Sequence, residues 1–446
     1  MDADILLHHA LVLTLEPGAT PIPGGYVAVT GRRIAAVGAA TDARDLPPAR
    51  QSLDLQGALV LPGLVNTHCH APMVWFRGLA DDLPLHTWLT DFIFPAEAAW
   101  LDPDKAYWGT LAAAAEMIRG GTTTVADGYF FETEVRRALA QAGLRACAAQ
   151  GVVDFPAPGV PDPRDNLKVA ADFLDSGTAF VESGITSAIF CHSPYTCGAE
   201  TLARAKDLTR TRQVPWFIHL AETRGEVEDS RQKTGLTPVA YLDRLGVLDE
   251  LTVAVHAVWL DPEDQEILAR RGVKVSHCPE SNLKLASGVA PIPELLNRGI
   301  TVGLGTDGAG SNNNLDLWGE MSLAARLHKV WRRDPTLLSA AEVVGLATRE
   351  GAKALGVGGR TGTLTPGKEA DLIVLDLNRP HLTPLYDPFS HLTYAARAAD
   401  VRHVMAQGRW LLFDRQFTTL DWPEIAARLR RDCPDLAALR HNPRRP

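Results

Sequence analysis

Short apolar runs recur along the chain, and most of them stop at a polar residue just before a segment of helical period begins. Strand-like runs end near His68, Asp127, Val153, His192, Leu220, His256, Cys278 and Gly305. Helical patterns lie between them at 103–119, 131–142, 163–181, 199–212, 239–245, 261–271 and 292–298. Gly120, Gly143, Gly184, Gly272 and Gly299 stand just past helix ends, where a left-handed cap is expected. Eight strands alternating with helices over roughly 300 residues predict an α/β fold of the (β/α)8 barrel type. A doubly wound open sheet is the alternative. The barrel is preferred because polar residues close most of the strands, at the end where barrel enzymes place their chemistry.

The flanks have a different texture. Residues 1–56 read as short strands between Pro-Gly turns, too small to stand alone. The stretches 364–376 and 401–413 read the same way. The two flanks, 1–56 and 362–446, are expected to meet as one small β-sandwich domain beside a barrel spanning 57–361.

Composition narrows the class. A chain of 446 residues with net charge -9 speaks against a nucleic-acid surface, and it carries no apolar stretch long enough to span a bilayer. The N-terminus is acidic where a signal peptide is basic. Six scattered cysteines without a C-x-x-C pair fit free thiols, so a cytoplasmic setting and a small-molecule substrate are expected.

The chemistry begins at Leu61-Pro-Gly-Leu-Val-Asn-Thr-His-Cys-His70. Alternation along a strand points His68 and His70 one way and Cys69 the other. An isolated H-x-H pair is more often chance than function. Later strand ends change the odds: the fifth leads into His219 and, three residues on, Glu222; the sixth ends at His256; the eighth runs into Asp307. An unpaired imidazole or carboxylate at the end of a buried strand is costly, and a shared metal ion removes that cost for several at once. His68, His70, His219 and Asp307 offer three nitrogens and one oxygen, a set suited to Zn2+ with a position open for water. Glu222 is expected to reach past the ion as a proton shuttle and His256 to orient the attacking hydroxide. Metal coordination brings the pKa of water down to about 7, so the implied class is hydrolytic attack on an electrophilic sp² carbon.

Gly303-Leu-Gly-Thr-Asp-Gly308 matches G-x-G-x-x-G, but that dinucleotide fingerprint belongs after the first strand of a βαβ unit, whereas this copy closes the array. The H-x-E with P-C-x-x-C pattern of one class of zinc enzymes is absent. His277, closing the seventh strand, stays open between a structural and a functional role.

These residues resemble the amidohydrolase superfamily of the single-metal type, and more narrowly the methylthioadenosine/S-adenosylhomocysteine deaminase family. The resemblance runs through Pro62–His70, Trp75–Asp82, the block from His277-Cys-Pro-Glu-Ser-Asn282 to Leu285, and Gly303–Asn313. It implies one Zn2+ per subunit, with Fe2+ as the alternative, held by His68, His70, His219 and Asp307. It implies that Glu222 protonates the purine ring nitrogen, that Asp307 carries a proton to departing ammonia, and that His256 holds the hydroxide. Glu97 matches the glutamate that binds ribose hydroxyls, His192 a substrate-contacting histidine, and Trp88 and Ser311 positions lining the pocket. The activity implied is deamination of 5'-methylthioadenosine, S-adenosylhomocysteine or adenosine by a homo-oligomer. A sister hydrolase acting on guanine, a pterin or an s-triazine is the alternative. A non-catalytic relative is expected to lose ligands, and this chain keeps the set. One departure concerns the arginines that some members place between the third and fourth strands: here that Pro-rich stretch offers only Arg164.

Overall fold

The computed structural model describes residues 3–40 and 42–439. Eight parallel strands follow one another in chain order: Leu64–Cys69, Thr122–Tyr129, Arg145–Val152, Ile185–Cys191, Trp216–Leu220, Thr252–His256, Lys274–His277 and Val302–Leu304. Most are buried along their whole length, as a sheet covered on both faces requires. Val65, Ala149, Phe190, Phe217 and Val255 meet in the barrel interior. Full burial of such side chains is worth about 1.5–3 kcal/mol each.

The first and eighth strands meet at a seam. The His68 carbonyl accepts from the amides of Thr306 (3.1 Å) and Asp307 (3.0 Å). The Asn66 side chain accepts from the Thr306 amide (3.0 Å) and donates to its hydroxyl (2.8 Å). The approach is close: a Cβ on Gly303 would lie 2.4 Å from Thr67, and one on Gly305 2.9 Å from the His68 backbone. Two glycines of the nucleotide-like G-x-G-x-x-G therefore serve barrel closure.

Helix ends follow local chemistry. Asp102 caps Pro103–Arg119, and Asp261 forms a capping box with Asp264. Gly143, Gly184 and Gly272 take the expected left-handed caps. Gly120 does not: its φ is -82°, and the left-handed residue is Gly121, at 91°. The helix expected over 163–181 is three pieces: a 3-10 turn Pro163–Asp165, the α-helix Asn166–Asp175, and a 3-10 run Ser176–Ser183. Arg224–Thr234 is a helix that periodicity missed because Val227 is its only buried residue, leaving no apolar stripe. Between the first two barrel strands an excursion containing Leu85–Thr87, Trp88–Ile93 and Phe94–Trp100 contributes to the wall of the cavity at the barrel's mouth.

The flanks join as expected, hydrogen-bonded as one nine-stranded sheet. Ala3–Val12 pairs its first half with Ala49–Asp54 and its last two residues with Leu59–Pro62, so the sheet divides there. Leu7, Val27, Val29, Val60, Leu372 and Met405 share its apolar core. Leu59–Pro62 pairs antiparallel with Leu372–Leu375; this strand, placed in the 57–361 segment by its sequence position, belongs by hydrogen bonding to the small sheet. Among the described residues no helix is long and apolar enough to cross a membrane.

Candidate active site

Four buried side chains converge where the strands of the barrel end. Ligand atoms of His68, His70, His219 and Asp307 all lie within 4.8 Å of one another. Nε2 of both His68 and His70 is 3.3 Å from Asp307 Oδ1, and Nε2 of His68 and His219 are 3.3 Å apart. Nδ1 of His70 donates to the Gly128 carbonyl (2.5 Å), which leaves its Nε2 lone pair aimed at the cluster. Burial, with His70 adding to it, pushes His68 down to about 4, and burial holds His219 well below the usual imidazole range. Neutral imidazoles with converging lone pairs repel one another unless a cation sits between them. Phe190 floors the cluster, stacked on His68 at 5.6 Å and edge-on to His219 at 4.8 Å.

Backbone strain aims the groups around this cluster. Strand parity with Val255, which faces the interior, would turn His256 outward; instead His256 and Ala257 adopt left-handed φ of 71° and 50°. Ala221 (52°) does the same for Glu222, and Asp307 itself sits at 60°. Such residues cost of order 1–3 kcal/mol each and cluster at functional sites. The amides of Ala221 and Glu222 both donate to the half-buried Glu226 carboxyl, at 2.8 Å each. His256 is fixed through Nδ1 by Asn282 Oδ1 (2.9 Å), and its Nε2 lies 3.7 Å from Glu222. Burial raises the Glu222 carboxyl above its ordinary value; His256 opposes this and Asp307 reinforces it. Asp307 accepts from the hydroxyls of Ser281 (2.7 Å) and Ser311 (2.9 Å) through Oδ2, and from the Gly308 amide through Oδ1 (2.8 Å).

A cleft of about 900 Å³, open mouth included, rises from the cluster and is large enough for a nucleoside-sized molecule. Glu97, His192, Trp88 and Ser311 all line it. Glu97 is buried in the helix Phe94–Trp100, where the Tyr129 hydroxyl donates to it, and burial pushes its carboxyl up to about 7. His192 is pushed down to about 3 by burial, and its Nδ1 meets Thr196 Oγ1 at 3.1 Å. The Trp88 indole N–H is committed to the Ala80 carbonyl (3.0 Å), so its ring face is what it offers a ligand. The Ser311 hydroxyl is committed to Asp307, which makes it a positioning group for that carboxylate. His277 lies outside the cluster, with Nε2 3.3 Å from His328 Nε2. Tyr129, Phe190, Ser281, Asn282 and Glu226 were not singled out from sequence. Phe190 shares the strand parity of His192, a usable signal; Glu226 binds amides only four and five residues away, and Tyr129, Ser281 and Asn282 are defined by partners remote in the chain.

Residues 59–411 match the amidohydrolase family, and the chain belongs to it. It is 48% identical to a 5-methylthioadenosine/S-adenosylhomocysteine deaminase of Syntrophobacter fumaroxidans, over 96% of this chain and 97% of that one. It is 45% identical to a 5'-deoxyadenosine deaminase of Methanothermobacter thermautotrophicus, over 89% and 91%. A crystal structure of an adenosine deaminase from Xanthomonas campestris with bound zinc superposes with a TM-score of 0.94 at 38% identity, covering 98% of this chain and 99% of that one.

Proposed function

We propose that the protein is a zinc-dependent aminohydrolase that converts the adenine ring of a nucleoside (5'-methylthioadenosine, S-adenosylhomocysteine or adenosine) to the hypoxanthine form with release of ammonia. The observation that carries this is one cleft holding the His-His-His-Asp cluster and Glu222 together with Glu97, a buried carboxyl in the same lining. The names of the relatives agree with it.

His68, His70, His219 and Asp307 would hold the ion; three imidazoles, two of them (His68 and His219) kept unprotonated by burial, and a single carboxylate suit Zn2+. Bound there, zinc supplies a water that ionises near neutral pH. The rest is work for side chains. Glu222, whose proton affinity burial raises, takes one proton of the attacking water and passes it to the adjacent ring nitrogen as the oxygen adds to the ring carbon bearing the amine. His256, locked by Asn282, turns Nε2 toward the nucleophile. Asp307, steadied by two serine hydroxyls, takes a proton from the nucleophile and returns it to the amine, so that the carbon–nitrogen bond breaks and ammonia leaves. Glu97 accepts from the two ribose hydroxyls, a role useful for a nucleoside and idle for a free base. His192 and the face of Trp88 contact the substrate.

The test is ammonia release by zinc-loaded protein offered methylthioadenosine, S-adenosylhomocysteine, adenosine, guanine and an s-triazine, beside a chelated control. Metal-dependent turnover of the nucleosides, cut about 100-fold or more by Glu222→Gln at unchanged zinc content, supports the assignment. Turnover of guanine or the triazine alone replaces the substrate class. The same reading carries a cytoplasmic homo-oligomer: all six cysteines are free, as a reducing compartment allows, and light scattering on the purified protein tests the assembly.

A further inference from the structure

We infer that the site selects adenine nucleosides whose 5' substituent is small, uncharged and apolar, a methylthio group or a bare methyl, and discriminates against one bearing an amino acid. This rests on the proposed nucleoside deamination and narrows it.

Polar groups in the cleft gather around the metal cluster, with Glu97 and Tyr129 on its wall. Next to Glu97 the wall is mainly apolar, with the His192 ring 6.2 Å from that of Phe94. Phe94 lies one helical turn before Glu97 on the same face. Its ring is 5.5 Å from Phe155, which opens the Pro156-Ala157-Pro158 stretch after the third barrel strand. A ribose whose 2' and 3' hydroxyls met Glu97 would lie beside Phe94, with its 5' substituent against this wall. The wall is held in place. Ala157 and Val160 exchange backbone hydrogen bonds at 3.0 and 2.9 Å, and the Asp154 carboxylate anchors the loop base to Asn166, Thr201 and the Gly198 amide.

Charge argues the same way. Among the described residues lining the cleft there are three carboxylates, on Glu97, Glu222 and Asp307, and no lysine or arginine. The α-carboxylate of an amino-acid substituent would be desolvated against an apolar wall with no cation to meet it. Arg164, on the same loop, is 88% exposed and paired with Asp162. The cations around the wider mouth are engaged too: Lys284 with Asp81 at 2.7 Å, Arg224 with Glu228 at 2.7 Å, and Lys233 with Asp229 at 3.9 Å.

The experiment compares kcat/KM of the zinc-loaded full-length chain for methylthioadenosine, 5'-deoxyadenosine, adenosine and S-adenosylhomocysteine. The first two should lead, and S-adenosylhomocysteine should trail methylthioadenosine by about 10- to 100-fold. Phe155→Arg should raise KM for methylthioadenosine and lower it for S-adenosylhomocysteine. Phe155→Ala, which removes the apolar contact without adding charge, should narrow the gap between methylthioadenosine and adenosine. If S-adenosylhomocysteine equals or beats methylthioadenosine in the unaltered protein, this inference is wrong and the deaminase reading stands. If none of the four nucleosides yields ammonia, the deaminase reading falls and takes the inference with it.

Discussion

Glu97 shows what burial does to a single carboxyl. With the Tyr129 hydroxyl as its partner, it is pushed up to about 7 from an ordinary 4.5, because a charge in that wall loses its water. The folded protein then binds a proton there that the unfolded chain releases, so this group costs stability as pH climbs from 4.5 toward about 7. In the proposed ribose contact the dependence runs the other way, since a carboxylate accepts from hydroxyls better than the acid does. KM for a nucleoside should therefore fall as pH rises through about 7, and Glu97→Gln should give a higher KM that no longer varies with pH. KM measured from pH 6 to 8 on both proteins checks it; a glutamine variant that kept the slope would move the titration to another residue.

At the scale of elements, the barrel seam and the strand exits do the positioning. The seam brings His68 and Asp307 together because Gly303 and Gly305 let two backbones approach where any side chain would collide. Gly303→Ala would set a methyl 2.4 Å from Thr67 and 2.9 Å from the Gly351 backbone, which has little room to yield. The expected loss is about 1–3 kcal/mol. Gly359→Ala, with nothing within 4 Å, is the control. Thermal melts of the two variants should differ by about 1–3 °C, the shift that loss predicts for a chain of this length; equal melting temperatures would mean the seam relaxes. The left-handed turns at Ala221 and His256 are the counterpart at the mouth, spending local strain to aim Glu222 and His256 where strand alternation alone would not.

For the molecule as a whole, one buried cation ties barrel to small sheet. Arg145 opens the third barrel strand, is 1% exposed, and meets Glu369 and Asp371, which lie just before the sheet strand Leu372–Leu375. Replacing it by methionine would keep the volume, leave the buried Asp371 without its cation and leave Glu369 with only Arg360 and Arg32, a change worth about 3–5 kcal/mol at neutral pH. Burial alone would raise Glu369, but Arg145 and Arg360 hold it below its ordinary 4.5. A depressed carboxyl stabilises above its unfolded value and ceases to as it protonates, so the gap in melting temperature between wild type and Arg145→Met should narrow in acid below 4.5. A gap constant between pH 7 and pH 4 would remove the carboxylates from the account.

Sequence by itself determined the barrel, since alternating apolar runs and capped helices can bury their surfaces in few other ways, and it marked His68, His70, His219 and Asp307 through polar residues at the ends of otherwise apolar strands. These are local signals, written within a few residues of each strand. Only the tertiary structure decided which groups serve which. Ser311 binds Asp307 rather than facing the cleft freely, His277 pairs with His328 away from the cluster, and Glu97 finds Tyr129. The helix Arg224–Thr234, without an apolar stripe, left no periodic trace. Partners such as Asn282 for His256 and Ser281 for Asp307 satisfy side-chain hydrogen bonds across the fold. Their positions follow from packing between distant segments, which no window of sequence contains.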